Sequence, residues 1–265
     1  MTKKRVFLLA GILFFLAIAV VSGWKAFSIL KNYHDSEKAY EDAATQYISA
    51  EEESEEAEPT PMTVEQFEEA IANPRRPIAD IDFAALQEEN DDVVGWICCK
   101  GSKINYPVVH GEDNSFYMEH LYNGEWNPGG AIFIDFRNLP DFASGNTLLY
   151  GHHMQDGSMF AGVTEYADQT YMDSHAIIWF LTPEQDYMLL PFSAYITHAT
   201  GDAYTLEFST SEERDSWVQQ RIANSYVESM VTPQADDPIV TLSTCTYEYD
   251  NARFVLHCVL RPVGE

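Results

Sequence analysis

Apolar and polar positions give the chain three successive textures. From Val6 to Trp24 no charged residue interrupts an apolar run. In helical form these residues would span roughly 28 Å at about 1.5 Å each, close to the hydrocarbon thickness of a bilayer. A polar stretch follows. Then Thr63-Val64-Glu65-Gln66 forms a capping-box pattern, with Phe67 and Ile71 as apolar positions of a short helix that Pro74 and Pro77 end. Asp82 caps a second short helix, which carries Phe83 and Leu86 on one side.

Beyond residue 91 the texture becomes β. Runs of β-branched and aromatic residues cover 93–97, 104–109, 131–134, 147–150, 176–181, 187–197, 239–245 and 253–260, bounded by Gly, Asn and Asp. About eight short strands with few intervening helices predict a mainly β (α+β) domain closed into a barrel, since an open arrangement would expose edges. Two helical insertions are expected. One follows Ser158 and carries Met159, Phe160, Val163 and Tyr166. The other covers 211 to about 230, with Trp217, Ile222 and Tyr226 as its apolar stripe. The pattern divides the chain into a tail (1–5), one transmembrane anchor (6–24), a spacer (25–62) and a folded domain (63–265). Within that domain the helices occupy 63–90 and the barrel 91–265.

Charge sharpens this division. Lys3, Lys4 and Arg5 precede the apolar run, which predicts a cytoplasmic N-terminus and an extracellular domain. The rival reading, a cleaved secretory signal, meets a long apolar stretch with no clean small-x-small site before Lys25. The net charge is −27, and much of the acid lies between Asp35 and Glu69, including the run from Glu51 to Glu56. Such a run repels itself and reads as a solvated spacer. The same acidity argues against nucleic acid as a partner. From Ile104 onward there is no lysine, and the arginines are Arg137, Arg214, Arg221, Arg253 and Arg261. An arginine beside a candidate site is therefore informative.

Of the four cysteines, Cys98, Cys99 and Cys258 sit inside apolar strand-like runs, where buried free thiols are usual. A bridge from Cys258 to Cys98 or Cys99 is compatible with an exported setting. Cys245 differs: it closes an apolar run and precedes the polar turn 246–251, so its thiol is placed to be reached. A nucleophilic thiol needs a base or cation nearby; the rival reading is a half-buried core cysteine. Arg253 begins the next strand. If residues 246–252 reverse the chain, its guanidinium can sit beside the sulfur, where an oxyanion would develop. Its rival is an ordinary surface arginine.

The histidine is harder to choose from residue types. His152, His153, His198 and His257 are candidates. Gly151-His152-His153 follows a strand end, so that one ring can face the site while its neighbour points away. His257 lies four residues after Arg253, on the same strand face. The physics of the residues leaves His152 and His257 level. A metal on His152-His153 lacks a third ligand at zinc spacing, and no G-x-S-x-G elbow supports serine catalysis.

These motifs resemble those of sortases. Thr241-Leu242-Ser243-Thr244-Cys245 is similar to their TLxTC signature, Tyr150-Gly151-His152 to the strand end bearing their catalytic histidine, and Arg253 falls at their arginine. The segments 92–97, 104–109, 113–117, 133–138 and 157–160, with the helix before the cysteine strand, resemble class B in particular. The likeness covers roughly residues 80–262.

The resemblance implies a sortase-type closed eight-stranded barrel and selects His152, with Cys245 and Arg253, as catalytic; His257 becomes a wall or core residue. Asn114, Met118 and Ser243 become substrate-groove positions, with Met118 standing where leucine is usual. It further implies a cysteine transpeptidase that cleaves a C-terminal sorting motif of an exported protein after threonine, through a thioester. The motif would be of the NPxTx or PPxTG kind. The acyl group would pass to an amine of a cell-wall precursor or a pilin. No cofactor is required by this chemistry. Two alternatives use the same sequence differently: a cysteine peptidase that only hydrolyses, and a non-enzymatic surface-binding module.

Overall fold

The computed structural model describes residues 3–49, 59–78, 80–139, 142 and 144–264. Eight strands run β1 (Val93–Cys98), β2 (Asn105–Val109), β3 (Ile132–Ile134), β4 (Asn146–Tyr150), β5 (Ile178–Leu181), β6 (Asp186–His198), β7 (Ile239–Cys245) and β8 (Ala252–Pro262). They close into a barrel in the order β1-β2-β3-β4-β7-β8-β6-β5. Two joins are parallel, β2 with β3 and β4 with β7; the others are antiparallel. The near-continuous burial of β5 and β7 reflects their apolar runs. The hydrophobic core takes in Trp96, Ile97, Ile132, Leu149, Phe180, Leu189, Leu242 and Leu256, all fully buried on one face of the barrel wall or the other.

Among the described residues, five α-helices accompany the barrel: α1 (Lys3–Tyr47), α2 (Val64–Ala72), α3 (Phe83–Glu89), α4 (Gln169–Ser174) and α5 (Ser211–Asn224). The Thr63 capping box forms as the sequence predicts, and the Asp82 side chain accepts from the Ala85 amide. The insertion after Ser158 becomes a 3₁₀ stretch, Phe160–Ala167, followed by α4; Met159, Phe160, Val163 and Tyr166 are all buried. The helix expected to reach residue 230 ends at Asn224 instead. Ser225 turns extended and its hydroxyl accepts from the Ala194 amide, while the Tyr226 amide donates to the Ala194 carbonyl. These bonds to β6 replace the next helical turn, so α5 buries Trp217, Val218 and Arg221 and leaves Tyr226 exposed.

The largest difference lies before the barrel. α1 is long and apolar enough to cross a membrane, and it does not stop at Trp24. It continues to Tyr47, through residues expected as solvated spacer, and buries Ser36, Tyr40, Ala43 and Tyr47. The Tyr40 hydroxyl donates to the Gly130 carbonyl at 2.7 Å, and Asn127 donates to the Asn32 carbonyl at 3.0 Å. The Tyr47 hydroxyl donates to Glu89 at 2.6 Å. Aromatic burial and these bonds outweigh the solubility of the helix's acidic face. The acidic run of residues 51–56 lies outside the described residues.

His257 belongs to the core. It is fully buried on β8, its ring bonded to the Thr241 hydroxyl at 2.8 Å and to the Tyr195 hydroxyl at 3.2 Å. Burial, reinforced by the Arg221 charge, pulls its pKa down to about 3. The unfolded chain therefore binds this proton first as pH falls from about 6.5, and stability present above that pH is progressively lost down to about pH 3. The loss from this group is about 3 kcal/mol by pH 4. His257→Gln is expected to be less stable at pH 7 and to show a flatter stability profile between pH 7 and 4. Urea unfolding at several pH values checks this, and an unchanged slope would contradict a neutral buried imidazole.

Candidate active site

β7 sits between β4 and β8, and this neighbourhood builds the site. β4 runs parallel to β7 with Tyr150 opposite Ser243, so Gly151 and His152 emerge at the rim where β7 ends in Cys245. β8 returns from that rim with Arg253 opposite Cys245. Cys245 and Arg253, neighbours across one hairpin, and His152, some ninety residues earlier, are thus delivered to one end of the barrel by backbone pairing. They border a cleft of about 440 Å³, and every predicted site residue lines it: Asn114, Met118, His152, Ser243, Cys245 and Arg253.

Cys245 is half-buried at the strand end, whereas Cys98, Cys99 and Cys258 are buried; all four thiols are free. Burial pushes the three core thiols above their usual range, so they are held protonated and out of reach. Each of the other arginines from Arg137 onward has a carboxylate within reach: Arg137 with Asp135, Arg214 with Asp215, Arg221 with Asp202 and Arg261 with Asp237. Arg253 alone of the five has no carboxylate partner among the described residues; its guanidinium donates to the Ala252 carbonyl at 2.9 Å. A cation left unneutralised on a cleft wall is available to charge that arrives with a ligand or develops in a reaction.

His152 is fixed from one side. Its Nε2–H donates to the Met118 carbonyl at 2.7 Å, which leaves Nδ1 as the nitrogen free to exchange a proton. Gly130 makes room for this contact. With φ +60, a Cβ there would come within 2.8 Å of the Met118 carbonyl oxygen and 3.1 Å of the His152 ring. His153 points elsewhere, with its Nδ1–H on the Cys245 carbonyl at 2.9 Å. His198 lies on the surface, bonded to Thr200.

The cleft wall contains residues that pattern reading did not single out. The Tyr204 hydroxyl shares a 2.9 Å hydrogen bond with Ser243, and both line the cleft. Ala199, Thr200 and Gly201 complete that wall from the connection after β6. Beneath the opposite wall, the fully buried Asp135 accepts from Asn114, Tyr150 and, through two guanidinium nitrogens, Arg137. Burial alone would raise the Asp135 pKa; the Arg137 bonds and the other donors outweigh it and hold the carboxyl below its usual range. One ionised carboxylate thereby positions three cleft-lining side chains. Among the described residues, no group of three or more His, Cys, Asp or Glu side chains is placed to hold a metal ion.

Comparison with known proteins gives concordant findings. The family described as Sortase domain matches residues 100–261. A Listeria monocytogenes protein named sortase B is 35% identical over 175 residues, 64% of this chain and 70% of that protein. Among solved structures, a sortase B from Bacillus anthracis matches with a TM-score of 0.71 at 32% identity, covering 88% of this chain and 99% of that one. A Staphylococcus aureus sortase B–substrate complex matches with a TM-score of 0.66 at 32% identity, covering 76% and 92%.

Proposed function

The chain belongs to the sortase family of cysteine transpeptidases, its likeness being to sortase B, and from this premise we propose that Cys245, His152 and Arg253 carry the reaction. The substrate is the C-terminal sorting motif of an exported protein, bound in the cleft against Asn114, Met118 and Ser243. The acceptor is an amine on a cell-wall precursor or a pilin. Residues 6–24 of α1 hold the enzyme in the membrane with the barrel outside, where both substrates meet. The carrying observation is the convergence of a reachable thiol, an imidazole with one nitrogen uncommitted, and an arginine without a carboxylate partner on one cleft.

In the first half-reaction the Cys245 thiolate attacks the carbonyl carbon of the motif's threonine, forming a C–S bond. The carbonyl oxygen takes the electron pair, and the Arg253 guanidinium meets that charge. Collapse of the adduct breaks the C–N bond, and His152 delivers its Nδ1 proton to the departing amine, leaving a thioester. In the second half the acceptor amine attacks the thioester carbonyl, His152 takes its proton, and the Cys245 thiolate departs. That a solved S. aureus relative is a sortase B–substrate complex supports a substrate-binding role for the fold.

The test is a mass-spectrometric trap. Incubation with a library of xPxTx peptides is expected to give an adduct on the fragment containing Cys245 and on none containing Cys98, Cys99 or Cys258. Addition of a small amine should release the acyl group faster than water does. Release indifferent to amine would indicate a peptidase; a folded protein with no adduct from any peptide would favour a binding module.

A further inference from the structure

The second histidine of Gly151-His152-His153 is not used by the reaction above, yet it touches the nucleophile's own residue. The β4–β7 ladder explains how. Along the edge of β7 facing β4, the Ser243 carbonyl is taken by the Gly151 amide at 3.2 Å, and the Thr244 hydroxyl reaches back to the Gly151 carbonyl at 2.8 Å. β4 ends at Tyr150 and the chain then leaves the sheet, so the next carbonyl on that edge, that of Cys245, has no backbone partner from β4. His153 supplies one. Its Nδ1–H donates to the Cys245 carbonyl at 2.9 Å, and its ring packs edge-on against Tyr247 at 5.6 Å, in the turn after the nucleophile.

We propose that His153 is a positioning residue, whose imidazole extends the β4–β7 ladder by one rung and fixes the peptide on which the Cys245 thiol is mounted. The geometry makes this more than a fold contact. Cys245 is the last residue of β7, where a strand end would otherwise fray, and a small rotation of its peptide would swing Sγ away from the cleft. Because His152 and His153 are consecutive, the same bond ties the nucleophile's backbone to the backbone of the histidine beside it. The Met118 carbonyl holds one ring of the pair and the Cys245 carbonyl holds the other. The role rests on the proposed use of Cys245 as nucleophile.

The experiment compares His153→Ala, His153→Asn and His153→Gln in the full chain. The Asn amide nitrogen occupies the place of Nδ1, whereas the Gln nitrogen mimics Nε2. Two readouts are taken: transfer kinetics with a sorting peptide, and the pH profile of Cys245 alkylation by iodoacetamide, which needs no substrate. His153→Ala is expected to lower kcat tenfold or more with KM within twofold, and to slow alkylation near neutral pH. His153→Asn should recover most of both, while His153→Gln should resemble alanine. If Ala stays within twofold of the parent, or if Asn and Ala lose equally and in step with melting temperature, the positioning role is overturned. If the parent transfers nothing while alkylation still separates Asn from Ala, the transpeptidase proposal fails and the positioning of the thiol stands.

Discussion

Cys245→Ala is expected to lower transfer from a sorting peptide by about five orders of magnitude or more, to the uncatalysed background. The size follows from the absence of a substitute. Cys98, Cys99 and Cys258 are buried in the barrel with their thiols held protonated, so none can take over attack on a peptide in the cleft. The fold should be indifferent. Cys245 lies at a strand end and only half-buried, and removing its sulfur leaves the β7–β8 ladder intact, so the melting temperature should move by no more than about 2 °C. Single-turnover kinetics with acid quench measure the chemical step. Residual transfer above about one per cent would identify a different nucleophile and remove Cys245 from its role.

Arg253→Ala is expected to cost about a hundredfold to a thousandfold in kcat, with a smaller change in KM. The argument lies in what the guanidinium lacks. The other arginines from Arg137 onward have a carboxylate within reach, and Arg221, fully buried, is clamped by Asp202 through two bonds of 2.8 and 2.7 Å. Arg253 lies opposite Cys245 in register and has none among the described residues, so its charge is not cancelled before substrate arrives. Removal of one preorganised donor from an oxyanion site has an effect of about this size. Arg253→Lys should fall between the parent and the alanine variant, since it keeps the charge but loses the planar fork. A rise in KM with kcat unchanged would instead make Arg253 a clamp on the substrate backbone in both ground and transition states.

Much of this was legible in the chain. The alternation and β-branching of the strand runs located all eight strands, with boundaries shifted by a few residues, and the turn after Cys245 was enough to bring Arg253 beside it. The histidine was not legible from residue types. His152 and His257 both satisfied strand geometry, and what separates them is the parallel pairing of β4 with β7, a contact across some ninety residues that no local pattern encodes. Resemblance supplied that choice, and it also pointed to Asn114, Met118 and Ser243. Tyr204 and the Ala199–Gly201 wall lacked any such signal, because they belong to an irregular connection. The helical continuation beyond Trp24 has a signal of its own. Ser36, Tyr40, Ala43 and Tyr47 recur at helical spacing and form a buried stripe, which the surrounding acidic residues mask in the net polarity of the segment. Net polarity says where a segment meets water; its period says which face does not.

That unbroken α1 decides how far the enzyme can reach. From Trp24 to Asn32, the first α1 residue bonded to the barrel, a helix rises about 12 Å. On the proposed anchoring, the barrel stands on a short helical post and not on a slack cord, which keeps its cleft close to the lipid. Its partners must come to that plane. Two exported chains still held at the bilayer would meet such an enzyme by lateral diffusion in a thin layer, at a local concentration that a freely roaming domain on a long tether would dilute.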